Sequence, residues 1–439
     1  MVRAEIHWDR IRSGVWQLPL GMMLFGLVLF RLAVHLDDVV PDAVAMRALW
    51  LHSGTGDDAR NLLSVLVSAM MTMATLVFSM TIVSLSVAAS QFGSRLVRSY
   101  VRDTRSKLTL GIFAMTIIYC LLALQMVSSE MQPRQVPHIT VTLGLVLSVV
   151  CVIAMVVLLH MVAHAIVVDE VIRRVGADLE ESIAAMPARV DEAHGDQAPA
   201  LEPFPGTEHP LRAPAEGYVE AIRYEHLAGA AAAEDAYVSL EVMAGDFLSK
   251  GDRMGSFHVP AGLADASALE ARLAAAVLIG QERTPVQDLA FSIRHLVDVA
   301  LRALSPAIND ANTARVVIDR LRGALTRLFR KQLPARRYAD EKGVLRVVAR
   351  RHTYVDHIAQ AVDPIRHSAT GQPMVAVTLI EALARLMAHT NDPAVLRFMM
   401  QQAEVTAQAS LGAPHDLQKI QAALARTRET LERRLLEIE

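Results

Sequence analysis

The run Asn61–Gly93, NLLSVLVSAMMTMATLVFSMTIVSLSVAASQFG, decides the fold. No charged residue stands between Arg60 and Arg95, a gap longer than the ~20 residues with which an α-helix crosses a bilayer. Within it Ser64, Ser68, Thr72, Thr75, Ser79, Ser86 and Ser90 recur at intervals of three, four and seven. At the helical advance per residue all of them fall within an arc of roughly 80°. The segment is therefore read as a membrane helix with a polar seam. A hydroxyl in hydrocarbon needs a partner, so a seam this regular faces other helices or a column of water.

Outward from this helix, three more segments are free of Asp, Glu, Lys and Arg: Val15 to Phe30, Leu108 to Val127, and Ile139 to Val168. Four spans are expected, all within the first 170 residues of a 439-residue chain that is 53% hydrophobic and only 20% charged. The first is the shortest, bounded by Arg12 and Arg31 and containing Pro19. It does not read as a cleaved signal, because no small-residue cleavage site follows the apolar run. Arg3, Arg10 and Arg12 precede the first span, and Arg95, Arg98, Arg102, Arg105 and Lys107 separate the second from the third. By the positive-inside rule both termini are cytoplasmic. The net charge of −3 averages two unlike regions and excludes little. Cys120 and Cys151 fall inside spans and read as small packing residues.

Beyond the four-span domain, 1–170, a stalk and Pro-rich linker are expected over 171–214, with helical spacing to Met186 and then six prolines between Pro187 and Pro214. From 215 to 262 the pattern turns to strands and tight turns, with Gly245-Asp246 and Gly251-Asp252 six residues apart. With Gly217-Tyr218-Val219 this stretch resembles half of a barrel-sandwich domain of the biotinyl and lipoyl carrier type. No Lys stands where carriers attach their cofactor, and Lys250 lies between the two turns, so the module is read as structural. The remainder, 263–439, is mostly helical, with apolar stripes at Leu289, Ile293, Leu296, Ala300 and Leu304, at Val316, Leu321, Leu325 and Leu328, and over Val375 to Met387. A short strand is expected at Gly343 to Ala349. Leu417, Ile420, Leu424, Leu431 and Ile438 suit a peripheral bundle helix or a three-heptad coiled coil. The expected fold class is thus membrane α-helical, four transmembrane helices, with a cytoplasmic α+β region holding a small barrel-sandwich-like β module and a helical bundle.

Few residues point to chemistry. His160 and His164 have chelating spacing without a third ligand on their face, and read as interfacial anchors or as a proton- or metal-sensitive pair. Arg95, Arg98, Arg102 and Arg105 would line an inner mouth, contact acidic lipid or simply fix topology, while Asp57 and Asp58 stand at the other end of the same helix. Arg283, Asp288, Asp298 and Asp310 are expected to form a buried ionic network that orders the cytoplasmic domain, with Asn309 or Asp310 capping a helix. No Gly-rich phosphate loop, Ser-His-Asp order or clustered metal ligands is present in the sequence, so neither catalytic residues, metal nor cofactor are expected. Few aromatics accompany Arg330, Lys331, Arg336 and Arg337, which argues against nucleic acid as a partner.

The stretch Ser68 to Met80 with Ser84-Leu85-Ser86-Val87-Ala88-Ala89-Ser90-Gln91-Phe92-Gly93, together with Arg283-Thr284, Gln287-Asp288, Ala303-Leu304-Ser305-Pro306 and Ile308-Asn309-Asp310, resembles a bacterial family of predicted integral-membrane proteins with a domain of unknown function. Ser94 departs from that family's pattern, which has Pro after the Gln-Phe pair. The resemblance implies a bacterial inner-membrane protein with four spans and a cytoplasmic C-terminal region, and it implies no activity.

Two functions fit. In one, an oligomeric channel is lined by Ser64, Ser68, Thr72, Thr75, Ser79, Ser86 and Ser90, with the cytoplasmic region as a vestibule. One such helix per chain cannot enclose a pore, so this requires a homo-oligomer and ions as the permeant. In the other, a scaffold or sensor is anchored in the lipid bilayer, its hydroxyls bonding neighbouring helices and its cytoplasmic domain binding a partner. An enzyme is not expected.

Overall fold

The computed structural model describes residues 17–39, 54–92, 104–165, 168–189, 206–260, 265–410 and 414–437. The chain divides into two compact units between Glu170 and Val171. The first contains four helices long and apolar enough to cross a membrane: α1 (Gln17–Val39), α2 (Gly56–Phe92), α3 (Thr104–Met126) and α4 (His138–Ala165). Packing radiates from α3, which meets each of the other three. Gly26 of α1 lies against Met115, and Gly111 of α3 against Met22, so both helices use a missing side chain to approach closely. Phe113, Met115, Tyr119, Cys120 and Ala123 of α3 fill the interior with Leu63, Val67, Met70 and Val77 of α2 and Val141, Leu147, Cys151 and Leu158 of α4.

The first helix runs beyond the uncharged stretch read from the sequence, passing Arg31 and continuing to Val39. The extra turns bring Asp37 to the start of α4. Its carboxylate accepts from Ile139 N (2.8 Å), Thr140 N (2.9 Å) and Thr140 Oγ1 (2.6 Å), satisfying donors that a helix N-terminus leaves open. At the same end Arg60 donates to Val127 O past the last turn of α3 (3.1 Å).

The second unit begins with α5 (Val168–Ala184), whose Ile172, Val175, Leu179 and Ile183 form one buried face at helical spacing. The segment read as a stalk packs within this unit: Glu180 pairs with Arg320 and Arg327, and Lys331 Nζ donates to Ala184 O and Met186 O. Residues 190–205 of the expected linker lie outside the described residues. Its last part is not linker but strand, β1 (Thr207–Arg212), an edge strand in which Pro210 is tolerated.

Next come β2 (Gly217–Ile222), α6 (Tyr224–Ala232), β3 (Tyr237–Leu240), β4 (Phe247–Leu248), β5 (Arg253–Val259), α7 (Ala266–Ala274), β6 (Val277–Gly280), α8 (Leu289–Ala303), α9 (Ala311–Leu328), β7 (Arg337–Ala339) and β8 (Leu345–Ala349). They form a five-stranded sheet, β1-β5-β3-β8-β7, and a three-stranded sheet, β4-β2-β6. The two Gly-Asp turns have the same construction. Asp246 accepts from Met243 N and Asp252 from Ser249 N, while Gly245 N donates to Val219 O and Gly251 N to Ala213 O. Both glycines have positive φ, +96° and +91°, which favours Gly there. Four helices complete the unit: α10 (Tyr354–Ser368), α11 (Pro373–Met387), α12 (Pro393–Ala409) and α13 (Pro414–Leu436). Val316 points outward, correcting the second stripe, whose buried positions are Val317, Ile318, Leu321, Leu325 and Leu328. The last helix packs on α11 and α12 through Ile420, Ala423 and Thr427, as a peripheral bundle helix.

Candidate functional site

In α2 the seam lies apart from the packing face, which carries Thr81 and Ser84 among its apolar positions. Ala59, Leu63, Val67, Met70, Val77 and Ser84 are buried; the centre of this face lies roughly 160° around the axis from the centre of the seam. Ser64, Ser68, Thr72, Thr75, Ser79 and Ser86 are all exposed. Of Ser90 only its place in the helix is described. The seam hydroxyls turn back on their own backbone: Ser68 Oγ donates to Ser64 O, Thr72 Oγ1 to Ser68 O and Thr75 Oγ1 to Met71 O, each at 2.9 Å. Each hydroxyl so bonded has its proton placed and its oxygen lone pairs turned outward. Exposed apolar side chains border the seam on both sides, Val65, Leu76 and Val83 on one and Met71, Phe78 and Ile82 on the other. The helix has 37 residues, roughly 55 Å at 1.5 Å per residue against a hydrocarbon core of ~30 Å.

At the start of α2, Asp58 accepts from Thr55 N and Thr55 Oγ1 while Asp58 N donates to Thr55 Oγ1, and Asp57 accepts from Asn61 Nδ2. These acids begin the helix as well as charging its end. Arg95, Arg98 and Arg102 lie outside the described residues, and Arg105 is placed only by its backbone in the first turn of α3. His160 is exposed on α4, and of His164 only the backbone is described.

A second polar row, missed from the sequence, runs inside the unit between α3 and α4. Tyr119 Oη donates to Thr140 O (3.0 Å), Ser148 Oγ to Gly144 O (2.8 Å) and the Cys151 thiol to Thr116 Oγ1 (3.2 Å), and all of these side chains are buried. Each helix contributes only two or three members, Thr116 and Tyr119 on α3 and Thr140, Ser148 and Cys151 on α4, so their burial was not legible until the helix partners were known.

In the second unit Arg283 and Asp288 come together. Arg283 Nε and Nη2 reach Asp288 Oδ2 at 2.9 and 2.5 Å, while Oδ1 accepts from Phe291 N at the head of α8. The Asp288 side chain is 1% exposed, so the pair is a desolvated one held by hydrogen bonds. Gly245 presses on it, and a Cβ there would run into both the carboxylate and the guanidinium. Thr284 Oγ1 donates to Glu220 O, and Gln287 both accepts from Ile222 N and donates to Ile222 O. The 283–288 segment thereby ties strand β2 to the head of α8. Asp298 lies about three turns further along α8. Asp310 is committed to the start of α9, accepting from Asn312 N, Thr313 N and Thr313 Oγ1, bonds that hold its carboxyl below the usual carboxylate range. Among the described residues no group of three or more His, Cys, Asp or Glu is placed to hold a metal ion.

Over residues 12–385 the chain matches the family model described as Predicted membrane protein (DUF2254). Uncharacterized proteins of Mycobacterium bovis and Mycobacterium tuberculosis are each 30% identical to it over 444 residues, spanning 98% of this chain and 83% of theirs. No solved structure matches it. A match over most of its length, joined to four helices able to cross a membrane, means that the chain belongs to the DUF2254 family of predicted membrane proteins.

Proposed function

We propose that this protein is an oligomeric ion channel of the bacterial inner membrane, with cytoplasmic termini, in which copies of α2 surround a pore lined by Ser64, Ser68, Thr72, Thr75, Ser79, Ser86 and Ser90. The observation that carries this reading is that the seam lies opposite the face by which α2 packs in its own unit. A polar stripe bordered on both sides by exposed apolar stripes suits a helix that faces water along one line and a neighbouring copy along each border. Outward-turned oxygen lone pairs suit a cation more than an anion. The second unit serves as a cytoplasmic vestibule without catalysis, and its β module, read as barrel-sandwich-like, is structural. The membrane-anchored scaffold is favoured by one feature. Hydroxyls bonded to their own backbone have already offset the ~2 kcal/mol or more that a free hydroxyl costs in hydrocarbon, so the seam tolerates lipid.

Ion flux through the purified protein in liposomes separates the two. The variant Thr72→Leu, Thr75→Leu, Ser79→Leu should fold as the native chain does and lose tenfold or more of the flux, about 1.4 kcal/mol or more in barrier. With Cys120 and Cys151 replaced by Ala, Cys at Thr72, Thr75 or Ser79 should react with small hydrophilic thiol reagents, and Cys at Met73 or Met80 should not. Flux that survives the triple variant, or protection at all three seam positions, removes the pore and leaves the scaffold.

A further inference from the structure

Two imidazoles meet beside the Arg283–Asp288 pair. His352 follows β8 and His357 lies in the first turn of α10, their ring centroids 5.4 Å apart. Gln360 Nε2 stands 3.4 Å from His352 Nδ1. His357 is 4% exposed, and its Nδ1 and the Gln360 Oε1 have no hydrogen-bond partner among the described residues. The segment that carries the rings joins strand to bundle, with Arg350 N donating to Leu240 O of β3 and α10 packing on α8. The charges of Asp356, Asp288, Asp246 and Arg350 act on His352, and that of Asp356 on His357. His295 sits a turn into α8 against Phe291. The buried face of α12, which also packs on α10, has no charged side chain. Helix α9 meets α10 farther along, at Ala361, Val362 and Ile365, with Arg322 at that rim.

We propose that His352 and His357 form a proton-operated latch between the β module and the helical bundle, closed while both rings are neutral and opened when they take up protons. Every carboxylate near the pair already has a partner. Asp288 holds Arg283 and caps α8, Asp246 accepts from Met243 N, and Asp356 accepts from Thr353 N and Oγ1. A proton on His352 therefore brings charge into a half-buried place, and a second on His357 adds like charge one ring away in a dry one. Burial holds His352 below the ordinary imidazole value, against the pull of Asp356, Asp288 and Asp246. Burial, and then the neighbouring His352, lower His357 to about 4. Opening returns both rings to water, where each binds a proton near ~6.5. The open form binds more protons, so acid favours it, and the closed form is fully favoured only above that value.

The latch does not rest on the pore. Amide hydrogen exchange of the full chain in nanodiscs at pH 7.5 and 5.5, corrected for intrinsic exchange rates, tests it. Peptides covering Val242–Leu248, Arg283–Ile293 and Arg350–Ile358 should open about tenfold more at the lower pH, the factor that a single ring with this shift supplies. Peptides from α13 should not. The variant His352→Gln, His357→Leu should lose the acid response. Exchange at the imidazole C2 position of the native protein gives each ring's own titration, whether or not the double variant folds. Equal exchange at both pH values, an acid response that survives the double variant, or a His357 that titrates near ~6.5 overturns the latch.

Discussion

The two polar rows of the membrane unit have the same chemistry and opposite surroundings. On α2, hydroxyls at strict helical spacing lie exposed and bond to carbonyls of their own helix. Between α3 and α4, Thr116, Tyr119, Thr140, Ser148 and Cys151 lie buried, and bonds cross from one helix to the other at Tyr119–Thr140 and Cys151–Thr116. The difference teaches that a hydroxyl in a membrane helix identifies itself by periodicity and by face, not by type. A regular stripe opposite the packing face is available to water or to another copy. A set turned toward a neighbouring helix is glue.

The same substitution placed in each row breaks the comparison most directly. Ser148→Leu adds a large side chain where 3% of the residue is exposed, and overpacking of this kind costs roughly 1–3 kcal/mol. Ser79→Leu on the exposed face should change stability by about 0.5 kcal/mol or less. Denaturation of the detergent-solubilised protein, followed by tryptophan fluorescence or circular dichroism, measures both. Equal losses would mean that the seam is packed as tightly as the interior, and the contrast between the rows would disappear.

A smaller effect is expected where the buried row meets the end of α1. Asp37→Ala leaves Ile139 N, Thr140 N and Thr140 Oγ1 without their acceptor. The loss of an N-terminal cap costs about 0.5–2 kcal/mol, and Asp37→Asn, which keeps one oxygen, should recover part of it. Asp57→Ala, at the start of the seam helix, removes a contact to Asn61 alone and should cost a few tenths. If the two alanine variants are equally mild, the cap from α1 does not help hold the bundle together.

Much of this contrast was legible in one half only. The seam announced itself because helical spacing and the absence of charge are properties of the α2 sequence alone. The buried row could not, because Thr116 and Cys151 become partners only when α3 and α4 pack. The second unit divides the same way. The Gly-Asp turns and the cap of α9 are local: the residues point to both turns and narrow the cap to Asn309 or Asp310, of which Asp310 holds it. The partner of β3 on one side is β8, more than a hundred residues later, and no local pattern predicts that parallel pairing. Pro210 hid β1 by making an edge strand look like linker. Arg283 and Asp288 were singled out as ionic residues, but the pressure of Gly245 and the neighbouring His352–His357 pair follow from tertiary packing.

One expected effect has the opposite sign. Ser84 belongs to α2 and to its packing face, where it is 2% exposed and its Oγ has no partner among the described residues. It lies a heptad beyond Val77 along the row that packs on α3 and α4, on the face that also carries the part-buried Thr81, whose Oγ1 donates to Val77 O. A buried hydroxyl without a partner bears its desolvation cost uncompensated, and its removal relieves that cost while creating little empty space. Ser84→Ala should therefore leave stability unchanged or raise it by about 0.5–1 kcal/mol, whereas Ser148→Ala, which removes a hydroxyl bonded to Gly144 O, should lower it slightly. A loss on Ser84→Ala as large as that on Ser148→Ala would place Ser84 in the bonded row, and the packing face of α2 would then be held by hydroxyl bonds at its C-terminal end.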